Sequence, residues 1–208
     1  MHLLYFADPM CSWCYGFGPQ LGKLVAAHPD ARLDIVMGGL RPFNREAMSP
    51  AFRDMLREHW QHVTTATGLP FSQAILDRDD FLYDTEPACR AVVTARQLAS
   101  TKAWAFLKAV QAAFYRDGRD VTSPLVLAEI AEEQGFDRAA FVEAFESEEM
   151  RTETLTDFTT TKTLGVSGFP TVGIAYGKQL YLVTSGFVTD DVLEYRLAEI
   201  ERRATAAS

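Results

Sequence analysis

His2-Leu3-Leu4-Tyr5-Phe6-Ala7-Asp8-Pro9-Met10-Cys11-Ser12-Trp13-Cys14-Tyr15-Gly16-Phe17-Gly18-Pro19 is the stretch whose reading decides the fold. Residues 2–7 are nearly all apolar, as in a central strand covered on both faces. Asp8-Pro9 breaks the run. A helical pattern, Gln20-Leu21-Gly22-Lys23-Leu24-Val25-Ala26-Ala27, follows and stops near His28-Pro29-Asp30. Pro19, inside that pattern, predicts a kink. Strand, turn and helix thus place two thiols at a helix N-terminus, the setting of a dithiol redox site.

The chemistry needs that placement. Cysteines at i and i+3 on one helical turn have Cα atoms roughly 5–6 Å apart, inside the window a disulfide requires. The unpaired N–H groups of a first turn stabilise a thiolate, the nucleophilic form. Cys11, at the exposed lip, gains most from that field and is assigned as the attacking thiol. Cys14, one turn in, is assigned as the thiol that resolves a mixed disulfide on Cys11. The competing reading is half a zinc site completed by His59 and His62, with Cys89, His2 and His28 as the remaining donors. Zinc knuckles rarely sit between a buried strand and a long helix, so no metal is expected.

Composition bounds the function. A chain of 208 residues buries a substantial core, and 48% hydrophobic with 23% charged residues is ordinary for a globular protein. A net charge of −8 argues against nucleic acid and anionic membrane surfaces as partners. No apolar stretch approaches a membrane span. A first strand beginning by residue 2 or 3 leaves no room for a secretory leader, so a cytoplasmic location is expected if Met1 is the natural start. Three cysteines are too few for a disulfide framework, which fits a reducing compartment.

Ala31 to Met37 reads as a second strand ended by Gly38-Gly39, completing a right-handed βαβ unit. Helical signals then repeat from Ser49-Pro50 to about Leu164. They include a stop at Gly68-Leu69-Pro70, a short helix near Ser72–Leu76, and a helix capped by Thr85 and running through Leu98. An amphipathic segment covers Lys102–Arg116, and further starts fall at Ser123-Pro124, Asp137 and Ser147. The acidic run Glu143–Glu153 reads as a solvated helix face. Strand signals return at Gly168-Phe169-Pro170-Thr171-Val172, and a Gly177-Lys178 turn joins two strands as a hairpin. Thr189-Asp190-Asp191 caps a last helix to about Arg203, with Ala204 to Ser208 expected to fray. The expected organisation is an α/β domain from residues 1–44 and 165–208, with an all-helical insertion at 45–164.

Cys-x-x-Cys after the first strand, a long helical insertion, then Gly-Phe-Pro-Thr opening a hairpin together resemble the DsbA-like branch of the thioredoxin superfamily. More narrowly the chain resembles its cytosolic FrnE-like members, in which Asp-Pro-Met-Cys-x-Trp-Cys is expected. The resemblance covers the whole chain in element order, but its specific motifs are two short patches. It implies a thioredoxin-like fold: a mixed four-stranded sheet flanked by helices. It also implies that Pro170 is cis and that Phe169-Pro170 faces the dithiol, where the Phe169 backbone can pair with an extended substrate. Pro170, lacking an N–H, adds no donor beside the sulfurs. Two departures stand out. Where thioredoxins and DsbA usually hold a buried carboxylate, this chain has Tyr5, and the dipeptide between the cysteines is Ser12-Trp13.

Asp8 is the nearest acid and either manages the Cys14 proton or, the favoured reading, caps the helix. Trp13 offers an apolar substrate contact or covers the helix end, and Met10 is expected at the same surface. Cys89 reads as a buried structural thiol rather than a regulatory one. Arg41 reads as a solvated loop arginine rather than an anion ligand, and Trp60, Trp104, Phe106 and Phe114 as core of the helical insertion. The function expected is thiol–disulfide exchange on a disulfide-containing protein or a thiol substrate, in the reductase or isomerase direction. No cofactor is expected beyond the Cys11–Cys14 pair, with glutathione as a candidate reductant. The alternatives are a redox-sensitive adaptor and a kappa-type glutathione transferase or isomerase. In the latter a serine typically replaces the first cysteine, so retention of both thiols speaks against it.

Overall fold

The computed structural model describes residues 1–176 and 179–206. Strand β1 (His2–Ala7) leads through a four-residue turn into α1 (Ser12–Ala27), and β2 (Arg32–Met37) returns alongside β1. Six helices follow: α2 (Pro50–Thr67), α3 (Glu86–Leu98), α4 (Ala103–Tyr115), α5 (Pro124–Glu133), α6 (Arg138–Glu146) and α7 (Glu148–Thr163). Then come β3 (Thr171–Tyr176), β4 (Gln179–Ser185) and α8 (Asp190–Ala206). The sheet order is β2-β1-β3-β4, with β1 parallel to β2 and antiparallel to β3, so the sheet is mixed as expected. Its inner position explains the apolar run of β1: Leu3, Tyr5, Phe6 and Ala7 are all buried.

The long helical segment does not stand apart from the sheet. The Tyr5 ring meets Trp104 of α4 edge-on at 5.8 Å, and one continuous core runs from β1 through α1 into α3, α4 and α5. Trp60, Phe106 and Phe114 are buried, whereas Trp104 is only partly so and reaches the sheet. The outer edge of β2 is finished by side chains. Asp157 Oδ2 accepts from Met37 N at 2.8 Å, Thr161 Oγ1 donates to Met37 O at 3.1 Å, and Arg96 Nη1 donates to Ile35 O at 2.5 Å. Arg96 and Asp157 are themselves paired, so α3 and α7 together cover a strand edge that would otherwise expose its main chain.

Several local expectations are corrected. Ser72–Leu76 forms turns, not a helix. Thr85 and Ser123 precede α3 and α5 without a side-chain capping bond, whereas Ser49, Asp137 and Ser147 do cap α2, α6 and α7. α1 continues through Pro19 to Ala27. α8 extends past Arg203 to Ala206, with Ala204 buried; Ala207 and Ser208, like the Gly177-Lys178 turn, lie outside the described residues.

Candidate active site: a dithiol at a strand end facing a proline loop

The turn after β1 is closed by Cys11 N donating to Asp8 O at 3.1 Å, which leaves Cys11 as the residue preceding the first turn of α1. Its backbone is extended (φ −92°, ψ 116°), and no acidic side chain occupies that first turn to offset the exposed N–H groups. Cys11 is 7% exposed and Cys14 fully buried one turn deeper, so the lip is narrower than the sequence suggested. Cys11, Cys14 and Cys89 are all free thiols. Met10, expected at the surface, is fully buried; its carbonyl accepts the Tyr83 hydroxyl at 2.6 Å, which turns the side chain inward.

Across from α1, the Phe169–Pro170 peptide bond is cis and the Phe169 carbonyl lies 3.6 Å from Cys11 Sγ. Two glycines shape this loop's surroundings. A Cβ on Gly38 would stand 2.0 Å from Cζ of Phe169, so the ring lies where only glycine fits. Gly38 is also tied to the end of β1 through Gly38 N to Ala7 O at 2.7 Å, and Gly186 N donates to Pro170 O at 2.7 Å. Trp13 is half-buried between Phe187, with ring centroids 5.6 Å apart, and His59 of α2, edge-on at 6.1 Å. Burial, and next the neighbouring His62, hold the His59 imidazole below its ordinary range.

Behind the sulfurs the surroundings are polar and dry. Asp8 is fully buried but does not cap α1, correcting that expectation. Oδ1 accepts from Met10 N at 2.8 Å, and Oδ2 accepts from Leu40 N at 2.7 Å and from the Cys89 thiol at 3.4 Å. Burial pushes the Asp8 carboxyl up, and the N–H groups of Leu40 and Met10 pull it down without cancelling that effect. Burial also pushes the Cys14 thiol well up, with the Cys11 sulfur and the Asp8 charge adding to it. Cys89 is raised by burial and then by Asp8. Tyr5, in the position where a carboxylate was noted as missing, has a buried hydroxyl raised by burial and then by the Cys14 charge.

The structure therefore brings Asp8, Cys11, Cys14, Phe169 and Pro170 together, with Trp13 at the border. Sequence reasoning missed Tyr83, Cys89 and Thr85 as neighbours of the turn, and Gly38 as the seat of Phe169. Only the Gly38-Gly39 pair carried a signal, and it was read as a strand stop. Arg41 is half-buried, with its guanidinium 4.5 Å over the Phe52 ring, not a solvated loop side chain. Among the described residues no group of three or more His, Cys, Asp or Glu side chains is arranged to hold a metal ion. None of the described helices is long and apolar enough to cross a membrane.

Comparison with known proteins agrees with this geometry. The family model for the DSBA-like thioredoxin domain matches residues 2–198. A solved structure described as a "putative protein disulfide isomerase" from Nitrosomonas europaea is 33% identical, covers 97% of this chain and 98% of its own, and superposes with a TM-score of 0.91. The cytosolic disulfide reductase DsbM from Pseudomonas aeruginosa is 26% identical over 98% of this chain and 99% of its own, with a TM-score of 0.81. DsbM has also been solved with GSH. A 2-hydroxychromene-2-carboxylate isomerase shares the fold at 18% identity, covering all of both chains with a TM-score of 0.69. Comparison with curated protein sequences gave no match. With a strand-end dithiol, a facing proline loop and a family match over nearly its whole length, the chain belongs to the DsbA-like thiol–disulfide oxidoreductase family.

Proposed function

We propose that this chain reduces or isomerises disulfides through Cys11 and Cys14, using the Phe169-Pro170 loop to align the substrate. The observation that carries the reading is the Cys11 sulfur at the start of α1, 3.6 Å from the Phe169 carbonyl. In the reductive direction the Cys11 thiolate attacks one substrate sulfur, and the other leaves as a thiolate that takes up a proton. Cys14 passes its proton to Asp8, attacks the Cys11 sulfur and displaces the second substrate thiolate, which takes the proton held by Asp8. The substrate gains two electrons and becomes two thiols; the chain is left with a Cys11–Cys14 disulfide. Two molecules of a thiol such as glutathione restore the dithiol and become a disulfide themselves.

The Asp8 role is supported by charge balance. Two neighbouring buried anions are costly, so moving one proton from Cys14 to Asp8 keeps a single negative charge in the dry pocket throughout. Trp13 and Phe169 supply the apolar border against which a substrate chain lies, and Phe169 main-chain groups pair with it. The reductive direction, a cytoplasmic location and glutathione as reductant are favoured by the likeness to DsbM, described as a cytosolic disulfide reductase and solved with GSH. No metal or organic cofactor is required by these steps.

Insulin reduction tests the reading. Turnover by the unaltered chain, lost in both Cys11→Ser and Cys14→Ser, supports it; equal turnover in Cys11→Ser overturns it. With Cys14→Ala, the trapped client is expected on Cys11.

A further inference from the structure

The segment from Gly38 to Asn44 passes the dithiol on the side opposite α1 and carries a cation with no carboxylate to neutralise it. Among the described residues every arginine forms an ion pair except Arg41, Arg45 and Arg196. Arg196 is spent on the Val183 carbonyl and the Thr184 hydroxyl, and Arg45 is exposed. Arg41 differs from both. Its guanidinium lies flat over Phe52 at 4.5 Å, its Nη2 donates to Asn44 Oδ1 at 3.3 Å, and its Nε is buried without a partner. A buried donor left unmade is costly, so such a fork, held in place and unused, points to a ligand outside the chain.

Its main chain fixes where it sits. Arg41 N donates to Thr85 Oγ1 at 3.1 Å and Arg41 O accepts from Thr85 N at 3.2 Å, while the preceding Leu40 N is bonded to Asp8. Arg41 is therefore one residue beyond the contact that anchors this segment to the turn before Cys11. The Tyr83 hydroxyl, bonded to the Met10 carbonyl, feels the charges of both Cys11 and Arg41, which places all three in one neighbourhood. Beside Arg41, Phe43 is 54% exposed and adopts φ 63°, a conformation that side chains rarely take, pinned by Phe43 N to Asp84 Oδ1 at 2.7 Å. An exposed aromatic in a strained backbone, next to an unpaired arginine, describes one wall of a binding site.

We propose that Arg41 binds a substrate carboxylate, and that the small disulfides handled by this chain are anionic peptides of the glutathione type. The inference rests on the oxidoreductase reading above. The charge of the whole chain makes such a residue necessary: at a net −8 the protein repels an anionic disulfide, and a local cation beside the sulfurs offsets that repulsion. The planar fork matches a carboxylate through two parallel hydrogen bonds.

The test follows oxidation of the reduced chain by glutathione disulfide and by uncharged 2-hydroxyethyl disulfide, stopped by alkylation and read by mass. Arg41→Gln is expected to raise the half-saturating concentration of glutathione disulfide about tenfold while the limiting rate stays within about twofold. The same variant leaves 2-hydroxyethyl disulfide unaffected, and Arg45→Gln leaves both unaffected. Should Arg41→Gln fail to fold, the unaltered chain still answers the question: glutathione disulfide esterified at its carboxylates is expected to need about tenfold more for half-saturation. An ester as good as the free acid overturns the proposal, as does an Arg41→Gln effect that is absent, equal on both disulfides, or confined to insulin. Reaction with 2-hydroxyethyl disulfide but no preference for carboxylates leaves the oxidoreductase reading intact; no reaction with either overturns both.

Discussion

The two sulfurs of the motif face different surroundings. In front of Cys11 are a carbonyl, an N-terminal helix turn free of acids, and the rings of Trp13 and Phe187. Behind Cys14 are Asp8, Tyr5, Tyr83, Tyr115 and Cys89, all ionisable and all buried. The front is governed by main-chain geometry, the back by the cost of placing charge where water is excluded. The contrast teaches a division of labour: the outer thiol meets the substrate, and the inner thiol's readiness depends on where its proton goes.

The largest effect expected on this contrast comes from the front. Cys11→Ser should lower insulin turnover by at least about a thousandfold, because no other thiol reaches the opening. Next comes the back: Asp8→Asn should slow resolution of a mixed disulfide by about 10–100-fold in a single-turnover chase, leaving the first attack on substrate within a few-fold. That variant also carries a pH signature. Burial raises the folded carboxyl above its ordinary 3.8, so the folded state holds the proton more tightly. The stability that protonation contributes is therefore present at low pH and lost as pH rises from about 4 through the folded value. Urea unfolding of wild type and Asp8→Asn across that interval should show this fall in the wild type only.

Smaller effects sharpen the picture. Gly38→Ala forces the Phe169 ring aside and is expected to cost about 1–3 kcal/mol of stability, with roughly tenfold weaker insulin reduction. Cys89→Ala removes a thiol that donates to Asp8 and leaves a small cavity. Urea unfolding should register about 1–2 kcal/mol, with turnover changed less than about threefold.

The front was legible in the sequence and the back was not. A strand period, a Cys-x-x-Cys spacing and a helical period are local signals, and they located β1, α1 and both thiols. The Gly-Phe-Pro-Thr patch gave the facing loop by resemblance. The Asp8 surroundings are assembled from Leu40, Thr85 and Cys89, whose side chains or amides meet only after β2 and α3 pack, and no spacing announces that. Asp before a helix looks like a cap, but Met10 N and Leu40 N claim its oxygens first. Thr85 likewise looks like a cap, yet its hydroxyl accepts from Arg41 N. Ser72–Leu76 has helical spacing, but its Ser72 N is taken by the Tyr115 carbonyl, and the segment settles into turns. Met10 is apolar beside a reactive site, and burial of an apolar side chain won over proximity to the surface.

Thiol labelling of the reduced native chain with a limiting amount of iodoacetamide, mapped by peptide mass, separates the two environments directly. Modification is expected at Cys11, with Cys14 and Cys89 labelled only after unfolding. Labelling of Cys14 or Cys89 at the rate of Cys11, or a Cys11 that resists until the chain unfolds, would contradict the assignment of the outer thiol as the one that meets the substrate.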